Sequence, residues 1–325
     1  MRADLPGMAT ATVGLDDIRR AAAGLVGLAR RTPLVEAPAL SRVAGAEVRL
    51  KCEHLQPIGA FKVRGASTAI LRLTPAERAR GVVTHSSGNH GQAVAWAARR
   101  LGTTAVVVMP RSAPAIKVEG VRREGGEVIF VDTMAEREPT SRRVAAERGL
   151  VLIPPYEHAD VIAGQGTCGL EVLEQWPAVS TLLVPVGGGG LLAGIATAVG
   201  ALRPDVRIVG IEPAPVPKLS AALAAGHPVE VDRQVSLADG LLPPALGTLA
   251  FAQVTGIVRE AAGVTDDDLR AAVRFLFETQ GLRVEPSGAA TVAALIAGRV
   301  RPAGPTVTVL TGGNVDPDLF DRLVG

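Results

Sequence analysis

The chain is 325 residues long, 47% hydrophobic and 20% charged, with a formal net charge of +2. That apolar share supports one large or two medium domains with a substantial core and excludes a disordered chain. Basic residues are scattered rather than clustered, which argues against nucleic acid or an anionic membrane as partner, and no apolar run is long enough to span a bilayer.

Residues 1–14 carry no apolar period and read as a disordered tail; without a signal pattern there, a cytoplasmic location is expected. Leu15, Ile18, Ala22 and Leu25 share one face and predict a helix over 16–29. A strand over 48–51 follows, then a helix over 62–73 stopped at Thr74-Pro75. Strands over 81–85, 104–109, 128–131 and 151–153 come next, separated by helices over 92–101, 113–124 and 140–148. In the second half, helices over 166–175, 191–202, 266–279 and 288–297 alternate with strands over 181–186, 207–211 and 306–310. Such alternation predicts an α/β fold of parallel sheets covered by helices on both faces, and the length favours two sheets. Cys52 and Cys168, the only cysteines, make neither a disulfide framework nor a zinc cluster.

Ligands in such folds bind at the turns beyond the carboxyl ends of strands. Three of these turns are rich in glycine. "VPVGGGGLLAG" (184–194) follows an apolar strand and opens a helix, so bare backbone N–H groups can converge on an anion. Its Gly188-x-Gly190-x-x-Ala193 spacing also fits a loose dinucleotide pattern, with Glu212 placed as the ribose acid. "THSSGNHGQAVAWAA" (84–98) sets Ser86, Ser87, Asn89 and His90 around two glycines, more polar groups than a helix cap needs and suited to a carboxylate. "VLTGGNVD" (309–316) is weaker, since an ordinary strand-to-turn transition explains it as well.

A fourth stretch, "HLQPIGAFKVRGA" (54–66), holds Lys62, one of four lysines in a chain that otherwise uses arginine. Lys62 is predicted at the first turn of a helix, where the dipole disfavours a cation, and Phe61 and Ile58 would desolvate it further. A neutral amine is nucleophilic and condenses with carbonyls. An aldehyde that also carries a phosphate would join Lys62 to the glycine turn, which describes pyridoxal phosphate.

Together these stretches resemble the fold-type II pyridoxal-phosphate enzymes, in the branch of threonine/serine dehydratase and serine racemase. The resemblance runs from "RTPLVEAPALS" (31–41) to "TGGN" (311–314) through "AFKVRGA", "SSGNHGQA", "VIAGQGT", "PVGGGGLLAGIA" and "VEPSGAA" in family order. It implies a two-domain, tryptophan synthase β-like fold, with 1–78 and 159–325 as a large cofactor-binding domain and 79–158 as a small mobile substrate-loop domain. It implies that Lys62 carries the cofactor and acts as the base at Cα, with Phe61 before it. By the same resemblance Asn89 bonds the cofactor's 3-oxygen, and the N–H groups of Gly187, Gly188, Gly189, Gly190 and Leu191 hold its phosphate. Thr311 faces the pyridine nitrogen, Glu285 lies near the ring, and Ser86, Ser87, Asn89 and His90 take the substrate carboxylate.

The implied reaction is β-elimination from a β-hydroxy amino acid such as L-threonine or L-serine, giving a 2-oxo acid and ammonia. Ser87 keeps open a racemase, in which a second group reprotonates the opposite face. A small-molecule substrate and a homodimer are further expectations, and only eleven residues follow Asn314, so no effector-binding domain is expected.

Three positions depart from the family pattern. Ala60 replaces the usual serine before Phe61-Lys62. Lys218 stands where metal-activated members carry an acid, so no metal is expected, and its ammonium is a candidate substitute beside Glu212. Tyr156, the only tyrosine, and "ADGLLPPALG" (238–247) point to a bulkier or acidic substrate such as 3-hydroxyaspartate, although Tyr156 could equally be a packing ring. Two other readings remain. A nicotinamide-dependent oxidoreductase would use the 188–193 turn and Glu212 but leaves Lys62 and Asn89 without roles, and a catalytically silent amino-acid-binding protein leaves an intact Lys62 unexplained.

Overall fold

The computed structural model describes residues 12–86 and 88–325. Its strands in chain order are β1 (Leu34–Glu36), β2 (Val48–Lys51), β3 (Val82–His85), β4 (Ala105–Pro110), β5 (Glu127–Val131), β6 (Val151–Leu152), β7 (Thr181–Pro185), β8 (Arg207–Pro213), β9 (Glu260–Val264) and β10 (Thr306–Val309). They form a six-stranded sheet of order β1-β2-β10-β7-β8-β9 and a four-stranded sheet of order β5-β4-β3-β6. Every pairing is parallel except that of β1 with β2.

β4, β7 and β10 are buried along their whole length, as parallel strands covered on both faces must be. The two-residue period sorts their side chains between layers. Leu182 and Val184 pack with helices Leu15–Gly24, Ala159–Gln175, Gly190–Leu202 and Thr248–Val254. Leu183 packs on the other face with Pro38–Ala44, Asp266–Gln280, Pro286–Ile296 and Pro317–Val324. Helices Lys62–Leu71, Asn89–Arg100 and Ala115–Arg123 close one face of the smaller sheet, and Arg137–Arg148 covers the other. No helix among the described residues is long and apolar enough to cross a membrane.

Glycines set how closely three helices approach. A side chain on Gly65 would meet the Val161 carbonyl at 2.8 Å, and one on Gly166 would meet that of Gly194 at 2.8 Å. Helices Lys62–Leu71, Ala159–Gln175 and Gly190–Leu202 therefore pack backbone to backbone, which fixes Lys62 relative to the glycine turn that starts the third. The helix expected over 166–175 begins at Ala159, because these glycines serve close packing and not a loop.

Other boundaries also shift. The first helix ends at Gly24 rather than at 29, and that of 92–101 begins at Asn89. The helices Pro38–Ala44, Pro75–Arg80 and Pro317–Val324 were not expected, and each opens on a proline, whose missing N–H costs nothing in the first turn. Thr74-Pro75 thus starts a helix as well as stopping one, with Thr74 and Glu77 capping each other. Helices Lys218–Ala225 and Thr248–Val254 and strands β1 and β9 are further additions. Of the expected tail, residues 1–11 lie outside the described residues, whereas Val13 is buried and its carbonyl accepts from Gln253 at 2.6 Å.

Candidate active site

A cavity of about 280 Å³ opens where β3, β7 and β10 end and faces both sheets. Lys62, the glycine turn, Asn89, Glu285 and Thr311 all line it. Residues more than 200 positions apart are gathered because parallel strands deliver their carboxyl ends to one side.

Lys62 is the first residue of its helix, and its Nζ donates to the Pro155 carbonyl at 2.8 Å. The amine lies 5.1 Å from the centre of the Phe61 ring. The side chain is half-buried, yet the ammonium is ringed by protein, and this desolvation pulls its pKa down to about 8. Ile58, 3% exposed, belongs to the apolar layer under this turn.

Ala60 is fully buried in that same layer and does not line the cavity. It pairs with Gly312 in a short antiparallel bridge, flanked by bonds from Phe61 N to Thr311 O (3.1 Å) and from Gly313 N to Gly59 O (2.9 Å). The Lys62 turn and the 311–314 turn are therefore stitched together along their backbones.

Among the described residues, none accepts a hydrogen bond from the N–H groups of Gly187 to Leu191. Five donors without acceptors at a helix start are a site for a multiply charged anion. Gly189 has φ +94°, which favours glycine, and a side chain on Gly187 would meet the Gly240 carbonyl at 2.9 Å. Tyr156 lies on this turn, where any side chain on Gly188 would overlap its ring. Burial raises the Tyr156 pKa, with Glu138 and Glu157 acting in the same direction.

Asn89 starts the helix after β3. Its Nδ2 donates to Glu285 Oε1 at 2.6 Å, and its Oδ1 accepts from Asn314 Nδ2 at 2.9 Å. Glu285 is 4% exposed, and burial pushes its pKa up to about 7 against the opposing pull of Lys117. Gly312 leaves room for this pair, since a side chain there would collide with Glu285 Oε1. Thr311 Oγ1 is 3.5 Å from the Ser287 carbonyl, the outer limit of a hydrogen bond, so its proton is available to an acceptor in the cavity.

The Ser86 hydroxyl accepts from Gly88 N at 3.1 Å. His90 donates Nε2–H to the Ile153 carbonyl at 3.2 Å, so its Nδ1, which has no partner among the described residues, is an acceptor. Burial holds His90 well below the usual histidine pKa, hence neutral. Its imidazole as placed offers no proton to a carboxylate. Ser87 lies outside the described residues.

Sequence patterns do not single out Lys117, Asp239 or Arg137, which also line the cavity. Lys117 pairs with Asp239 across the two sheets' halves of the chain. Burial pulls the Lys117 pKa down, but Asp239 and Glu285 more than offset this.

Glu212 is fully buried and caps helix Lys218–Ala225, accepting from Leu219 N (2.7 Å), Ser220 N (3.0 Å) and Ser220 Oγ (2.7 Å). It is not available to a ribose, which removes the main support for the dinucleotide reading. Lys218 Nζ donates to the Leu241 carbonyl at 2.7 Å and lies 3.4 Å from that of Val216, holding carbonyls rather than the Glu212 carboxylate.

The family described as pyridoxal-phosphate dependent enzymes matches residues 26–312. An L-threonine ammonia-lyase from Thermotoga maritima is 38% identical over 96% of this chain and 78% of its own. An L-threo-3-hydroxyaspartate ammonia-lyase from a Pseudomonas species is 40% identical over 95% of this chain and 97% of its own. The solved structure of maize serine racemase superposes with a TM-score of 0.92 at 38% identity, covering 96% of this chain and 97% of that one.

Proposed function

The chain belongs to the pyridoxal-phosphate dependent enzymes, and from that premise we propose that it is an ammonia-lyase converting a β-hydroxy amino acid such as L-threonine or L-serine to a 2-oxo acid and ammonia. The observation that carries the reading is the row of N–H groups from Gly187 to Leu191, without acceptors among the described residues, on the same cavity as the desolvated Lys62 amine. The residues fit the cofactor: bare backbone donors for a phosphate, a lysine for an aldehyde, and Asn89 and Thr311 for the ring's polar atoms.

When bound, pyridoxal phosphate supplies a reactive aldehyde carbon and an electron-withdrawing ring that acidifies the Cα–H of an amino acid. Lys62 Nζ would take the Cα proton, and a pKa near 8 lets it both accept and release that proton at neutral pH. The Asn89 amide would donate to the cofactor's 3-oxygen with Glu285 near the ring, and the Thr311 hydroxyl would meet the pyridine nitrogen. Ser86, Ser87 and the Asn89 backbone would bind the substrate carboxylate, and His90 would position that loop through Ile153. Tyr156 would cover the phosphate end and shape the side-chain pocket.

Segment 79–158 would move as the substrate-loop unit. A cytoplasmic homodimer completes the reading, with sedimentation as its check. We assign no divalent cation, because the Lys218 ammonium sits among carbonyls; chelation should leave the rate unchanged.

A second reading has its own support. Arg137 and Arg233 line the cavity, and the charge of Arg233 helps hold the Arg137 pKa down, after burial and against Tyr156. Glu138 also lines the cavity and Glu230 lies 3.8 Å from Arg233, so these cations are partly countered, and the charge they retain would favour an acidic β-substituent, as in 3-hydroxyaspartate. The test is a panel of L-threonine, L-serine, L-threo-3-hydroxyaspartate and a β-aryl serine, scored for 2-oxo acid and for chirality, because one relative is a serine racemase. A colourless protein without a borohydride-fixed adduct on Lys62 would overturn the proposal, and appearance of the D-amino acid without 2-oxo acid would replace the lyase by a racemase.

A further inference from the structure

We propose that Asn314 is a positioning residue that fixes which end of the Asn89 amide faces the cavity. This rests on the reading above, in which Asn89 meets the cofactor. Asn314 does not line the cavity itself.

The argument is one of donors and acceptors. A backbone carbonyl can only accept, so the Asn314 edge that meets Ile58 O at 2.9 Å must be its NH₂. The second proton of that NH₂ points to Asn89 at 2.9 Å, so the facing Asn89 atom must be Oδ1. The Asn89 NH₂ is thereby forced to the opposite edge, where one proton goes to Glu285 Oε1 at 2.6 Å and the other is left for the cavity. Ile58 O thus sets Asn314, Asn314 sets Asn89, and Asn89 presents a donor and not an acceptor.

The relay is held at its outer end. Gly313 N donates to Gly59 O at 2.9 Å, and Gly59 has φ +71°. A side chain on Gly59 would lie 2.6 Å from Asn314 Oδ1, so this glycine gives Asn314 its place as well as its turn geometry. Without Asn314, Asn89 could rotate by half a turn, exchanging its N and O ends. It would then set an oxygen against Glu285 and against any oxygen of the cofactor.

The test is a double-mutant cycle read as pyridoxal-phosphate affinity of the resolved and reconstituted protein, by spectral titration. Asn314→Ala should weaken binding by about tenfold, the worth of one neutral hydrogen bond, and shift the visible band of the bound cofactor. In an Asn89→Ala background the same change should cost less than about twofold and shift nothing, because its intermediary is gone. Equal losses in both backgrounds would overturn the proposal and leave Asn314 a structural residue. If Asn314→Ala does not fold, the near-isosteric Asn314→Leu carries the same cycle: it removes both donated protons without adding a charge, and its effect must also vanish without Asn89. A wild-type protein that takes up no pyridoxal phosphate would bring down the cofactor reading and this proposal with it, an outcome distinct from additivity.

Discussion

Lys62 and Arg64 begin the same helix and end in opposite surroundings. Arg64 is 1% exposed and fully partnered. Its guanidinium donates to both oxygens of Glu53 at 2.8 Å, to Glu171 at 2.7 and 2.8 Å, to Thr167 Oγ1 at 3.0 Å and to the Arg30 carbonyl at 3.1 Å. Lys51 joins the cluster through Glu171 at 2.5 Å, Thr32 O at 2.8 Å and Gln175 at 2.9 Å, so two cations face two carboxylates. Lys62 has one carbonyl, and Glu285 one amide. Desolvation acts on both regions. It would raise Glu53, yet Arg64 carries that carboxyl down to about 2, whereas in the cavity desolvation wins and leaves Glu285 near 7 and Lys62 near 8. Saturated partners lock the helix in place. Scarce partners leave groups that exchange protons near neutrality.

The contrast is broken most severely at Lys62. Lys62→Ala should lower 2-oxo acid release by on the order of 10³-fold or more while leaving urea-unfolding stability unchanged or raised, since a poorly solvated amine is removed. A variant keeping a tenth of the rate would end the role assigned to Lys62. Arg64→Met should do the reverse. It strands the Glu53 carboxylate in the interior and leaves Glu171 to Lys51 alone, at a cost of about 3–5 kcal/mol in urea unfolding, with little change in rate per folded molecule. A loss below about 1 kcal/mol would mean that water reaches the cluster.

Titration sharpens the comparison further. The folded pKa of Glu53 is depressed, so its stabilisation is complete above about 4.5 and is lost as pH falls toward 2. Glu285 has the opposite sign. The native state binds its proton more tightly than the unfolded one, so stability falls as pH rises from about 4.5 to 7. Glu285→Gln in the cofactor-free protein should therefore be stabilising by on the order of 2 kcal/mol at pH 8 and neutral at pH 4, as read from urea midpoints. An equal gain at both values would show that the carboxylate of Glu285 is not the source.

What was legible in the sequence was local. Lys62 behind Phe61, four glycines after an apolar run and a polar loop around Asn89 each announce themselves within a dozen residues, and the alternation of strands and helices gives both sheets. The remainder depends on separation along the chain. Asn89 meets Glu285 196 positions away and Asn314 225 away, and Arg64 meets Glu171 107 away; no local pattern specifies such pairs. Proline misled because it both ends and begins helices. Glu212 misled because it stands where a ribose acid would, although it caps a helix. His90 belongs to the first turn of helix Asn89–Arg100 rather than to a loop, and its proton is committed to Ile153, 63 positions away.

Ala60 should give the smallest effect and a sharp one. The resemblance suggests a missing hydroxyl beside the catalytic amine, but the Ala60 side chain belongs to the apolar layer shared with Ile58, Val63 and Ala66, and only its backbone reaches the 311–314 turn. A hydroxyl placed there would find no room for solvent, and an unpaired buried hydroxyl costs about 1–3 kcal/mol. Ala60→Ser should thus reduce stability modestly while leaving kcat and KM within about twofold, because the new group touches no reacting atom. A clear gain in kcat would mean that the hydroxyl reaches Lys62. The position would then belong to the undersaturated cavity rather than to the packed layer beneath it.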